Sequence, residues 1–111
     1  MDINAFIEDF LAVSNAYDTD GYLEKWQEKA VLDDPSVGRI FKGHSDIRNY
    51  FESYFIGYKT QTRLMKLDLI SDSEAHIEVE FTGEFPEGRI GGIFDFIFAD
   101  GKIAKAKADL I

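Results

Sequence analysis

The chain has 111 residues and a formal charge of −9, and a field of that sign repels both nucleic-acid backbones and anionic membrane surfaces. It contains no cysteine, which excludes disulfides, thiol nucleophiles and thiolate metal sites, and no run approaches the roughly 20 apolar residues of a spanning helix. With 45% apolar residues, ten Phe, five Tyr and one Trp, residues 1–111 are expected to form one domain around one core, in a cytoplasmic setting.

Ile3, Phe6, Ile7, Phe10, Leu11 and Val13 recur at helical spacing, with Glu8 and Asp9 between them. They predict an amphipathic helix capped by Asp2 or Asn4, so Met1-Asp2-Ile3-Asn4 opens a helix rather than a basic signal segment. Asp18-Thr19-Asp20-Gly21 interrupts the pattern and offers caps to a second, short helix carrying Tyr22, Leu23 and Trp26. Ala30 to Asp34 reads as a strand ended by Pro35, whose nitrogen cannot donate to a sheet ladder. A brief strand is expected at Arg39-Ile40-Phe41. From His44 to Tyr58 the spacing of Ile47, Tyr50, Phe51, Tyr54 and Phe55 predicts a third helix.

The period then changes to two. Thr60 to Ile70, Ala75 to Phe85, Arg89 to Ala99 and Ile103 to Ile111 read as strands separated by turn chemistry. Helices followed by antiparallel strands indicate an α+β class: a cone-shaped, curved antiparallel sheet wrapped around N-terminal helices. Alternation places Ile77, Val79 and Phe81 on one face, with His76, Glu78 and Glu80 on the other. Phe94, Phe96 and Phe98 share an inner face with Ala104, Ala106, Ala108 and Leu110, and Ile103, Lys105, Lys107 and Asp109 point outward. If Asp100-Gly101-Lys102 is the hairpin loop, Asp95 lies opposite Lys107 as an ion pair worth about 0.2–1 kcal/mol. Ile93 and Ile97 on that outer face suggest a cover, most simply a second copy in a homodimer through the outer sheet face. Scattered surface isoleucines are the alternative.

Three stretches carry a family resemblance: Asn15-Ala16-Tyr17-Asp18-Thr19-Asp20-Gly21, Ala30-Val31-Leu32-Asp33-Asp34-Pro35, and Lys42-Gly43-His44-Ser45-Asp46-Ile47-Arg48. They resemble bacterial ketosteroid isomerase and its SnoaL-like relatives, in the nuclear-transport-factor-two-like superfamily with its cystatin-like fold. Asp100-Gly101-Lys102-Ile103 is similar to the last hairpin of that superfamily. The resemblance implies Asp34 as general base in an aromatic pocket, acting on or binding an apolar, carbonyl-bearing molecule. It puts Tyr50 at a pocket-lining place as a candidate orienting hydroxyl, with Tyr54 one turn on. Ile77, Val79 and Phe81 would line the sheet side and Trp26 would stand near the rim. Phe10 and Phe94 occupy the places where the isomerase carries its two oxyanion donors. Neither ring can donate a hydrogen bond, and one lost donor typically costs about 2.7–4 kcal/mol of transition-state stabilisation, so efficient steroid isomerisation is not expected. The sheet acid of the SnoaL-like cyclases has no matched position here: Asp109 lies near the right end of the chain, yet alternation turns it outward.

Each candidate has a plainer reading. Asp34 before Pro35 is ordinary turn chemistry, and Tyr50 can be a core aromatic. His44 reads as a helix-terminal surface residue. His76 beside Glu78 and Glu80 invites a metal, but no ligand motif supports one, and neither metal nor cofactor is expected. Gly88, Gly91 and Gly92 suit a bend or bulge rather than a phosphate loop. Three functions remain open: a small-molecule enzyme using Asp34, a binding module with a cavity lined by Phe10, Phe81, Phe94, Phe96 and Ala106, and a dimeric scaffold whose cone is filled by those rings.

Overall fold

A computed structural model describes residues Met1 to Ile111. Asp2 caps α1 (Ile3–Asn15), its carboxylate accepting from the Ala5 N–H at 3.1 Å and satisfying one of the orphan donors of a helix start. Ile3, Ile7, Phe10 and Leu11 of that helix are buried. Asp18 caps α2 (Thr19–Glu24) in the same way, accepting from the Gly21 N–H at 3.0 Å. That helix ends before Trp26, which instead opens β1 (Trp26–Asp34). A single 3₁₀ turn, Pro35–Val37, leads into β2 (Arg39–Lys42), antiparallel to β1.

The third helix is shorter than its spacing predicted. α3 (Gly43–Phe51) passes into one π-helical turn at Glu52–Ile56. A wider turn inserts a residue into the helical period, and Tyr50, Tyr54 and Phe55 thereby reach one common cavity. Four strands follow: β3 (Gln61–Ser71), β4 (Glu74–Thr82), β5 (Arg89–Ala99) and β6 (Lys102–Leu110). They belong to a curved six-stranded sheet of order β2-β1-β6-β5-β4-β3. One pairing departs from the antiparallel expectation: β6 lies parallel to β1, with Leu32 beside Ala106. The hairpin with β5 sets the direction of β6, and the free edge of β1 accepts it in that sense.

The hairpin loop has two residues, not three: Ala99 pairs with Lys102, and Asp100 and Gly101 take φ of 53° and 74°, the left-handed pair a tight primed turn requires. The face assignments for β4 and β5 stand: Ile77, Val79, Phe81, Phe94, Phe96 and Phe98 are buried. On β6 a register shift changes them. Ile97 lies opposite Lys105 but Phe98 opposite Ile103, so Ala104 is the extra residue of a bulge. Ile103 therefore points inward and is fully buried, while Leu110, expected inside, is 45% exposed at the strand end.

Asp95 does lie opposite Lys107, yet the expected ion pair is absent. The Asp95 carboxylate turns to the other neighbouring strand and bonds His76 Nδ1 at 2.6 Å. A short imidazole on an adjacent strand loses less side-chain freedom than a lysine in making such a contact. Gly91 and Gly92 make no bulge, since β4 and β5 stay in unbroken register from Glu74 to Thr82. Gly92 is needed for another reason: a Cβ there would come within 2.3 Å of Phe81 Cε2.

Candidate functional site

At the end of β1, alternation turns Ala30, Leu32 and Asp34 inward and leaves Asp33 half-buried on the opposite side. Asp34 is only 4% exposed. Its Oδ1 accepts from the Ser36 N–H at 3.0 Å and from the Ser36 hydroxyl. Its Oδ2 accepts from the Tyr50 hydroxyl at 3.0 Å. One oxygen thus caps the turn after the strand and the other bonds into the core, so turn chemistry and an inward carboxylate coexist. Beside this pair lies a cavity of about 290 Å³ with 18 lining residues, 12 of them hydrophobic. That volume is at the lower edge of ligand pockets, roughly 300–1,000 Å³.

Burial, and then the negative charge of Asp34, push the Tyr50 hydroxyl well above the ordinary tyrosine range. Burial raises Tyr22 as well, and the facing Trp26 indole N–H offsets only part of that rise. Tyr22 and Trp26 do not meet in hydrogen-bond geometry, and both buried polar atoms are without a partner. The Tyr22 ring is held instead by stacking on Phe51, with centroids 4.0 Å apart.

Of the lining expected from sequence, Asp34, Tyr50, Tyr54, Phe81 and Phe94 face the cavity. Phe10, Trp26, Ile77, Val79, Phe96 and Ala106 do not; they are core residues, each at most 2% exposed. Phe10 sits between Tyr22 at 5.3 Å and Phe96 at 5.5 Å and fills the closed end of the cone. Trp26 and Asp34 occupy opposite ends of β1, roughly 26 Å apart at about 3.3 Å per residue, so Trp26 cannot stand at the rim. The cone is therefore solid at one end and hollow at the other.

Sequence reasoning missed the loops that close the open end. Ser36 and Val37 come from the turn after Asp34, Phe55, Tyr58 and Thr60 from the π-turn and its exit, Phe85, Pro86 and Glu87 from the β4–β5 connection, and Ile90 from the start of β5. One signal was available: an aromatic directly before Pro86-Glu87-Gly88 is unusual in a solvated turn. Asp109 faces out along β6 but is half-buried and reaches the rim. His44 is not a plain surface residue: it is half-buried, with Nε2 2.8 Å from the Trp26 carbonyl oxygen. No group of three His, Cys, Asp or Glu is placed to hold a metal ion.

Chemically, the site offers a buried carboxylate, aromatic walls and no charged donor. The Tyr50 hydroxyl is committed to Asp34, and Phe10 and Phe94 have nothing to donate.

The family model described as a SnoaL-like domain matches residues 7–106. No curated protein matches the sequence. Solved structures share the fold at low identity. SMa1630 of Sinorhizobium meliloti has a TM-score of 0.84 at 19% identity over 94% of this chain and 93% of its own. The epoxide hydrolase/cyclase-like enzyme SalBIII, of pyran ring formation in the polyether salinomycin, has 0.84 at 18% over 97% and 89%. RV0760c of Mycobacterium tuberculosis, in complex with estradiol-17beta-hemisuccinate, has 0.80 at 15% over 94% and 89%. No helix of the chain is long and apolar enough to cross a membrane.

Proposed function

We propose that this chain, which belongs to the SnoaL-like domain family, takes up a small, mostly apolar molecule in the cavity beside Asp34, with that carboxylate acting on it or binding it. One observation carries the reading: a carboxylate only 4% exposed lines a cavity of about 290 Å³ whose walls are mainly hydrophobic. Removing a charge from water is costly, and capping the turn at Ser36 uses only one of the two oxygens, while the other is turned to Tyr50 beside the cavity. RV0760c, of the same fold, holds a steroid ester in its complex, which supports a small molecule as the occupant. A carbonyl-bearing ligand suits the mainly hydrophobic wall, which includes Tyr54 and Tyr58. Without donors at Phe10 and Phe94, a steroid isomerase rate is not part of the proposal.

The test is thermal denaturation against a panel of small apolar ketones, alcohols and amines, on the wild type and on Asp34→Asn. A ligand at about 100 times its Kd stabilises by about 2.7 kcal/mol. In an enzyme, Asp34→Asn abolishes turnover, including of compounds it still binds; in a binding module it changes affinity only. If no compound stabilises the wild type, the ligand reading fails and a scaffold role stands in its place. For the assembly, we propose a homodimer in which a second copy covers the outer sheet face, where Ile97 is 43% exposed beside half-buried Ile93. Sedimentation at micromolar concentration as a dimer for the wild type and a monomer for Ile97→Arg is expected. A monomeric wild type would remove this part.

A further inference from the structure

We propose that the group of the ligand that meets Asp34 is a protonated amine, bound by the carboxylate and by the surrounding aromatic rings. This rests on the reading that the cavity takes a small molecule, and it names the chemical class of that molecule.

The argument begins with a missing counter-ion. Buried charges are ordinarily paired with an opposite charge. Asp34 has only neutral partners, the Tyr50 hydroxyl and the Ser36 N–H and hydroxyl. Arg39 is its register partner on β2, but the guanidinium is turned elsewhere. It lies over the Phe41 ring at 4.6 Å and reaches Asp46 at 3.7 Å. No lysine, arginine or histidine lines the cavity, whereas Glu87 and Asp109 add two further carboxylates at its wall.

Counting acceptor sites sharpens the point. A carboxylate has about four lone-pair positions. Ser36 takes both on Oδ1 and Tyr50 takes one on Oδ2, which leaves one acceptor position on the oxygen next to the cavity-lining tyrosine. A ketone cannot use it, because a carbonyl only accepts. An anion is repelled. An ammonium N–H fits it with a charge-assisted hydrogen bond, roughly twice as strong as a neutral one. The walls suit the same cation: Tyr50 and Tyr54 lie 5.5 Å apart and Tyr58 and Phe85 6.1 Å apart, centroid to centroid, and such ring faces attract ammonium groups. The overall charge of −9 adds a long-range pull on cations.

A head-group series on one ring tests this. Cyclohexylmethylamine, cyclohexylmethanol and cyclohexanecarboxylate are titrated into the full chain by calorimetry at pH 7.5. The ammonium is expected to bind at least about tenfold more tightly than the alcohol, and the carboxylate more weakly than either. In Asp34→Asn the lead of the ammonium over the alcohol should shrink to under about threefold. Should that variant not fold, the wild-type series decides alone: an ammonium that leads the alcohol by less than about threefold overturns the assignment. The alcohol or the carboxylate binding as tightly as the ammonium overturns the amine assignment and leaves the ligand-binding reading intact. None of the three binding overturns both for ligands of this size.

Discussion

Tyr50→Phe isolates the hydrogen bond on which the site is built. The ring, which packs against Phe41 at 4.9 Å and Phe55 at 5.7 Å, stays; only the hydroxyl 3.0 Å from Asp34 Oδ2 is lost. A hydrogen bond to a buried charge contributes about 1.5–3 kcal/mol, so urea denaturation at pH 7 should show a loss of that size, or a Tm lower by roughly 5–15 °C. A second readout is alkaline stability. The Tyr22 and Tyr50 hydroxyls are both raised in the folded state, burial being the first cause for each. Above the unfolded tyrosine value of about 10, the unfolded chain sheds these protons while the folded one keeps them. Fewer bound protons in the unfolded state make stability fall as pH rises. Each tyrosine contributes about 1.4 kcal/mol per pH unit in that window, so the wild type should lose about 2.7 and Tyr50→Phe about 1.4. Below pH 10 neither group contributes a slope. If Tyr50→Phe unfolds at the wild-type urea midpoint with the wild-type alkaline slope, the Asp34–Tyr50 pair is not what holds the site.

Tyr22→Phe makes the contrast. Its hydroxyl is buried with no partner, so stability at pH 7 should be unchanged or higher by up to about 1 kcal/mol, while the alkaline slope still halves; a clear loss at pH 7 would reveal an unseen partner. Gly92→Ala drives a methyl to within 2.3 Å of the Phe81 ring. It should cost about 1–3 kcal/mol in urea denaturation and push that ring toward the cavity, and a neutral result would mean the ring is free to move. On the outer face, a double-mutant cycle on His76 and Asp95 should give about 0.2–1 kcal/mol of coupling and one on Asp95 and Lys107 none. Coupling to Lys107 instead would show that the carboxylate points to the other strand.

How much of the site could be read in the chain depended on the element that carried it. Asp34 and Tyr50 were reached through the family resemblance, and the structure holds each at a fixed phase of a regular element, the last inward position of β1 and the buried face of α3. Phe81 and Phe94 followed from strand alternation in the same way. Phe10, Phe96, Ile77 and Val79 were correctly assigned to the inner face, but a face does not say at which height of the cone the space is filled. Trp26 failed one step earlier, when a short helix was extended into what is the start of β1.

The period-3.6 and period-2 patterns, the Asp caps and the Asp100-Gly101 turn specify the α+β order and most strand faces, because those signals are local and each residue reports its own backbone. Tertiary structure decided the parallel β1–β6 pairing, the bulge that turns Ile103 inward, the His76–Asp95 bond and the π-turn that gathers three aromatic rings. It also decided where the hollow lies, since a cavity is the volume left after distant side chains have packed. No single segment encodes what its partners leave empty.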